Sequence, residues 1–168
     1  MNKTPHEGPE LPGDAVKRTD YDGKEQKNAR TMSDAECRKM ATDKADVLLD
    51  FVHGVFRINR PGRKPLRYKG RLPSLGPRRG LPVLLTVMGQ PGWYWTPYEI
   101  GKHNGDKDNL YIKDNIIPAV AATRRVLGES AEDPHYILTG RSPYSVAWNP
   151  EASYCIIERA NGDQEEEV

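Results

Sequence analysis

Cysteine is nearly absent from this 168-residue chain, with Cys37 and Cys155 standing far apart. That argues against a disulfide framework or a thiolate metal site, and a reducing cytoplasm is the simplest compartment. The four histidines, His6, His53, His103 and His135, share no metal-ligand spacing with each other or with the cysteines. No metal and no cofactor is therefore expected. No apolar run approaches the roughly 20 residues that span a membrane. The opening stretch MNKTPHEGPELPGD lacks the apolar centre of a secretory signal. Mean hydropathy is −0.77, with 36% apolar and 29% charged residues. The length suffices for one domain with a core, and the polarity implies unordered segments beside it.

A second absence is local. From Phe51 to Tyr98 there is no Asp or Glu, although the chain holds 24 acids, which spread evenly would place about seven there. The same stretch carries Arg57, Arg60, Arg63, Lys64, Arg67, Lys69, Arg71, Arg78 and Arg79. The acids collect before it and in the closing Asp163-Gln164-Glu165-Glu166-Glu167. A basic stretch on a chain of net charge +1 points to a surface for a polyanion. The competing explanation is a set of solvated loops balanced in space by the acidic ends.

Residues 1–32 hold almost no large apolar side chain and cannot offset their ordering entropy. Segment 1–45 is expected to be disordered apart from a short helix, 46–157 to be the folded domain, and 158–168 an acidic tail. Ser33-Asp34-Ala35-Glu36 fits a capping box, with a helix from Asp34 to about Leu49. Gly54–Ile58 and Pro65–Tyr68 read as strands around the turn Asn59-Arg60-Pro61-Gly62, and Leu72 can belong to a third. Val83–Met88 is too short to separate helix from strand. Thr96-Pro97-Tyr98-Glu99 is a helix start with its own capping box. His103–Lys113 is a polar loop, and Asp114 or Asn115 can cap the next helix, which tolerates Pro118 in its first turn.

The most patterned stretch is Ala122 to Trp148. Ile116, Val120, Thr123 and Leu127 fall on one helical face, and Gly128 stops that helix. Two short strands follow, Tyr136–Thr139 and Tyr144–Trp148, around Gly140-Arg141-Ser142-Pro143. In this order the elements resemble the OmpR/PhoB-type winged-helix effector domain of bacterial transcription regulators, over roughly 54–148. Leu75-Gly76-Pro77-Arg78 is similar to the family's entry to its first helix, and Thr96-Pro97-Tyr98-Glu99-Ile100 to the entry of its second. Arg124-Arg125-Val126-Leu127-Gly128-Glu129 resembles the end of the third helix. Asp133-Pro134-His135-Tyr136-Ile137-Leu138-Thr139-Gly140-Arg141 resembles the wing strand. The resemblance implies an α+β winged helix-turn-helix with an N-terminal antiparallel sheet, three helices and a C-terminal β-hairpin wing. It makes Asn115 to Leu127 the recognition helix, Arg141 the wing arginine, and His103–Lys113 a loop able to contact RNA polymerase.

Three departures bear on function. The wing, Arg141-Ser142-Pro143-Tyr144, is one residue short and lacks the family's glycines. Pro82 delays or shortens the first helix. The outward face of the third helix, Ile117, Pro118, Ala121, Ala122 and Arg125, offers few side chains able to read base edges.

The expected activity is non-enzymatic binding of double-stranded DNA in transcriptional regulation. Arg124, Arg125 and Arg141 would contact DNA, with Arg57, Arg60, Arg63, Lys64, Arg67 and Lys69 on phosphates. Arg124 and Arg125 can equally be helix C-terminal cations that complement the helix dipole. The alternative is a protein-interaction module whose Ala-rich third helix docks on a partner or a second copy. An enzyme would need His103 or His135 with Asp106, Asp108 or Asp133, and Cys155 as nucleophile, and no spacing joins them. Cys155 reads instead as a buried strand thiol, and Trp93, Tyr94, Trp95 and Tyr98 as core rather than a base-stacking platform.

Overall fold

A computed structural model describes residues 13–73, 75, 80–105, 116–142 and 144–160. The chain runs β1 (Val16–Tyr21), β2 (Arg30–Met32), α1 (Asp34–Arg38), β3 (Val47–Asp50), β4 (Val55–Arg60) and β5 (Arg63–Lys69). Then come α2 (Gly80–Met88), α3 (Pro97–His103), α4 (Ile117–Leu127), β6 (Ile137–Thr139), β7 (Val146–Trp148) and β8 (Tyr154–Arg159). Six strands form one sheet in the order β2-β1-β8-β3-β4-β5, and β6 and β7 form a separate hairpin. All pairings are antiparallel except β3 with β8.

Side-chain alternation divides the sheet between two cores. On one face Leu49, Phe56, Ile58, Tyr154 and Ile156 meet Leu84 and Met88 of α2 and Val120 and Leu127 of α4. On the other, Val16, Leu48, Cys155 and Ile157 lie under Cys37 of α1. The central strand β3 is therefore buried at all four residues.

The α+β class agrees with the sequence expectation. The winged helix-turn-helix does not, because the described residues are dominated by the six-stranded sheet and their four helices are short, five to eleven residues. The hairpin is not the last element either. After β7 the chain turns at Asn149-Pro150 and β8 enters the middle of the sheet, between β1 and β3. The physical reason is the run Tyr154-Cys155-Ile156-Ile157, apolar on both faces, which can be buried only between two strands. The hairpin itself packs inward, with Val146, Ala147 and Trp148 all buried, and Trp95 is hydrogen-bonded in both directions to Val146.

Inside the stretch 1–45, where composition argues against order, β1 pairs along its whole length with β8. Its buried Val16 and Tyr21 supply apolar area. The buried Arg18 donates to Asp20 (2.9 Å) and to the Ala41 carbonyl (2.9 Å). The helix expected from Asp34 to Leu49 stops at Arg38, since Val47–Asp50 pairs with β4 and β8 instead. Leu72 is buried but lies outside the strands, and the proposed helix caps Asp114 and Asn115 lie outside the described residues.

Candidate nucleic-acid interface

The strand β5 is an edge of the sheet. Leu66 and Tyr68 face the helices, and the Tyr68 hydroxyl donates to the Val126 carbonyl at 2.8 Å. Alternation then sends Arg67 and Lys69 to the opposite face, where Arg67 stands across from Arg57 and Lys69 across from Val55. Arg63, Lys64, Arg67 and Lys69 are all exposed. Among the described residues none of the four makes a side-chain hydrogen bond or an ion pair, and the ion pairs of the fold involve other groups. Cations and Pro65 on an edge strand also discourage pairing with a foreign sheet.

Two other cations of the basic stretch are engaged within the fold. Arg57 donates to the carbonyls of Thr42 (2.9 Å) and Ala45 (2.7 Å), tying β4 to the chain before β3. Arg60 donates to the Lys64 carbonyl through two nitrogens (3.1 and 2.8 Å), bracing the β4–β5 turn. Arg60 and Arg63 also flank a cleft of about 480 Å³ against the end of α4, Gly128 and His135. Glu129 in that cleft accepts three backbone N–H groups, from His135, Tyr136 and Ile137. Arg71 is exposed, while Arg78 and Arg79 lie outside the described residues.

Arg124 and Arg125 separate completely. Arg124 is buried and donates to the Ile137 carbonyl and the Thr139 hydroxyl, both at 2.9 Å, so it holds β6 rather than facing solvent. Burial lowers its pKa. Arg125 is exposed, as is Arg141 at the hairpin tip. The exposed face of α4 otherwise presents Pro118 and Ala121, while Ala122 is buried. Most of the loop matched to an RNA polymerase contact, His103–Lys113, lies outside the described residues.

The aromatic group divides as well. Trp95 is core, but Trp93, Tyr94 and Tyr98 are about half exposed, and so is Tyr144. Tyr94 and Arg141 line a cleft of about 510 Å³ at the hairpin tip.

A histidine that sequence spacing did not single out is placed between two carboxylates. His53 Nδ1 lies 2.7 Å from Asp50 and Nε2 2.8 Å from Asp34, clasping α1 to the end of β3. The only local signal is the turn in which Asp50 accepts from the backbone of Val52 and His53; the Asp34 partner is invisible without the fold. Cys155 is buried in β8 and burial pushes its thiol up to about 12. His103 packs edge-on against Trp95, and His135 against Tyr136. Among the described residues no group of three or more His, Cys, Asp or Glu can hold a metal ion, and no helix is long and apolar enough to cross a membrane. No family model, curated protein or solved structure matches the chain.

Proposed function

We propose that this protein binds double-stranded DNA mainly through phosphate contacts, with little reading of base sequence, and serves in transcriptional regulation. The observation that carries the reading is the set Arg63, Lys64, Arg67 and Lys69. These are four exposed cations on one strand, without a described carboxylate partner, inside a stretch devoid of acids. Cations left unneutralised within a fold are available to phosphates and release counterions on binding. Arg125 and Arg141 add charge on other elements. The exposed residues of α4 support weak base discrimination, since Pro118 and Ala121 have no hydrogen-bonding side chain. Docking of α4 on a protein or on a second copy is less favoured, because the same two residues offer little apolar area.

Electrophoretic shifts on random-sequence duplex at a series of salt concentrations test this. Each phosphate contact contributes about 0.9 to the slope of log K against log salt. The variant R63Q/K64Q/R67Q/K69Q is expected to weaken binding to all duplexes alike and to flatten that slope by about 3.6. Absence of binding at low salt would sink the proposal, and so would loss confined to one sequence with the slope unchanged.

A further inference from the structure

We infer that the cleft at the tip of the β6–β7 hairpin takes an unpaired nucleobase together with its phosphate, from a single-stranded segment of nucleic acid. This inference rests on the nucleic-acid reading above and adds a second mode of contact to it.

The aromatic wall of the cleft is held in place by backbone pairing. Gly92 donates to the Trp148 carbonyl (2.9 Å), and Trp95 both donates to and accepts from Val146 (2.7 and 2.9 Å). A segment pinned in this way turns alternate side chains to opposite sides. Trp95 enters the core at 7% exposure, so Tyr94 must face outward, at 45%. Its ring lies against Gly140, where a Cβ would come within 2.7 Å of Tyr94 Cδ1. The glycine thus lets the ring lie against the hairpin backbone while the ring stays half open to solvent. Stacking on such a ring needs a base whose faces are free, which excludes the interior of a duplex.

The rest of the lining suits a nucleotide. Arg141 is exposed at the rim, and among the described residues no carboxylate lines the cleft. The Thr96 hydroxyl accepts from the Glu99 N–H (3.2 Å), and the Thr139 hydroxyl accepts from Arg124 (2.9 Å). An accepting hydroxyl keeps its own proton to donate, so both can meet the carbonyl oxygens of a base or the oxygens of a phosphate. A volume of about 510 Å³ lies within the range of ordinary small-ligand sites. A protein partner would find a cation and hydroxyls here in place of an apolar pocket.

Binding is followed by isothermal titration calorimetry. The full-length chain is titrated with oligothymidylate, with an abasic oligomer of equal length, with free thymidine monophosphate and with duplex. Oligothymidylate is expected to bind about tenfold more tightly than the abasic strand. Tyr94→Ala should abolish that difference, Tyr94→Phe should retain it, and duplex affinity should be the same in all three proteins. Equal binding of the two single strands by the unaltered protein overturns the inference while leaving duplex binding intact. Binding of the free nucleotide as tight as that of the strand also overturns it, assigning the cleft to a mononucleotide. Failure of duplex and single strands alike at low salt sinks the nucleic-acid reading itself. Should Tyr94→Ala not fold, Arg141→Gln replaces it, with an expected loss of oligothymidylate affinity of several-fold.

Discussion

Arg124 and Arg125 are adjacent in sequence, yet one is enclosed beneath β6 and the other faces solvent. Removing the buried guanidinium leaves the Ile137 carbonyl and Thr139 hydroxyl without their donor. Arg124→Met is therefore expected to destabilise the fold by about 2–4 kcal/mol in urea unfolding, while Arg125→Gln should stay within about 0.5 kcal/mol. Equal effects would mean that Arg124 is not holding β6. Burial raises the Cys155 thiol from 9.0 to about 12 and the Tyr154 phenol from 10.0 to about 12. Below pH 9.0 neither group distinguishes folded from unfolded chain. Above it the unfolded chain sheds protons that the folded chain retains, so stability falls as pH rises toward 12. Each group adds up to about 1.4 kcal/mol per pH unit. Urea midpoints across this window should fall less steeply in Cys155→Val than in the unaltered protein; identical slopes would remove Cys155 from the account.

Individual helix ends follow local rules. Thr96 and Glu99 close their capping box in both directions, at 3.2 and 2.9 Å, and Pro97 occupies the first turn. Gly128 ends α4 in the left-handed region at φ 75°, and Glu129 donates to the Arg124 carbonyl at 3.0 Å. A Cβ there would stand 2.7 Å from Leu66 and 2.9 Å from the Arg60 side chain. At Gly62, φ is 68° but the space is open. Both substitutions to alanine carry the backbone cost of about 1 kcal/mol. Gly128→Ala is expected to cost about 1–2 kcal/mol more, because the Leu66 and Arg60 side chains must give way. Thermal melts of the two variants compare the terms directly, and equal losses would show that the contact with Leu66 yields freely. These caps and stops are legible in the sequence because every participant lies within a few positions. The extent of α1 is not. Its expected continuation, Val47–Asp50, has neighbours on both sides in the sheet, and that pairing outweighs helical propensity.

At the scale of the whole molecule, the middle of the sheet is built from strands distant in the chain. Strand β1 covers β8 along six residues, and β8 in turn separates β1 from β3. Deleting residues 1–32 removes β1 and β2, exposes the edge of β8 and opens the core around Val16 and Cys37. Such a truncation is expected to lose the cooperative unfolding transition seen by circular dichroism. A truncated chain that melts as sharply as the full one would mean that β1 contributes nothing to the fold.

The amino-acid order alone carries the β4–β5 turn, the capping box of α3, the alternation of β4 and β5, the helix stop at Gly128 and the acid-free basic stretch. All of these depend on residues close together in the chain. It does not reveal which cations keep no partner among the described residues. Arg57, Arg60 and Arg124 are drawn to carbonyls that folding brings to them, while Arg63, Lys64, Arg67 and Lys69 are left on an edge. Nor does it reveal that β1 and β8 complete one sheet, that His53 finds Asp34, or that Tyr94 faces outward while Trp95 faces in. Each of these is settled by pairing between distant segments, and local patterning carries no information about which partner a segment will meet.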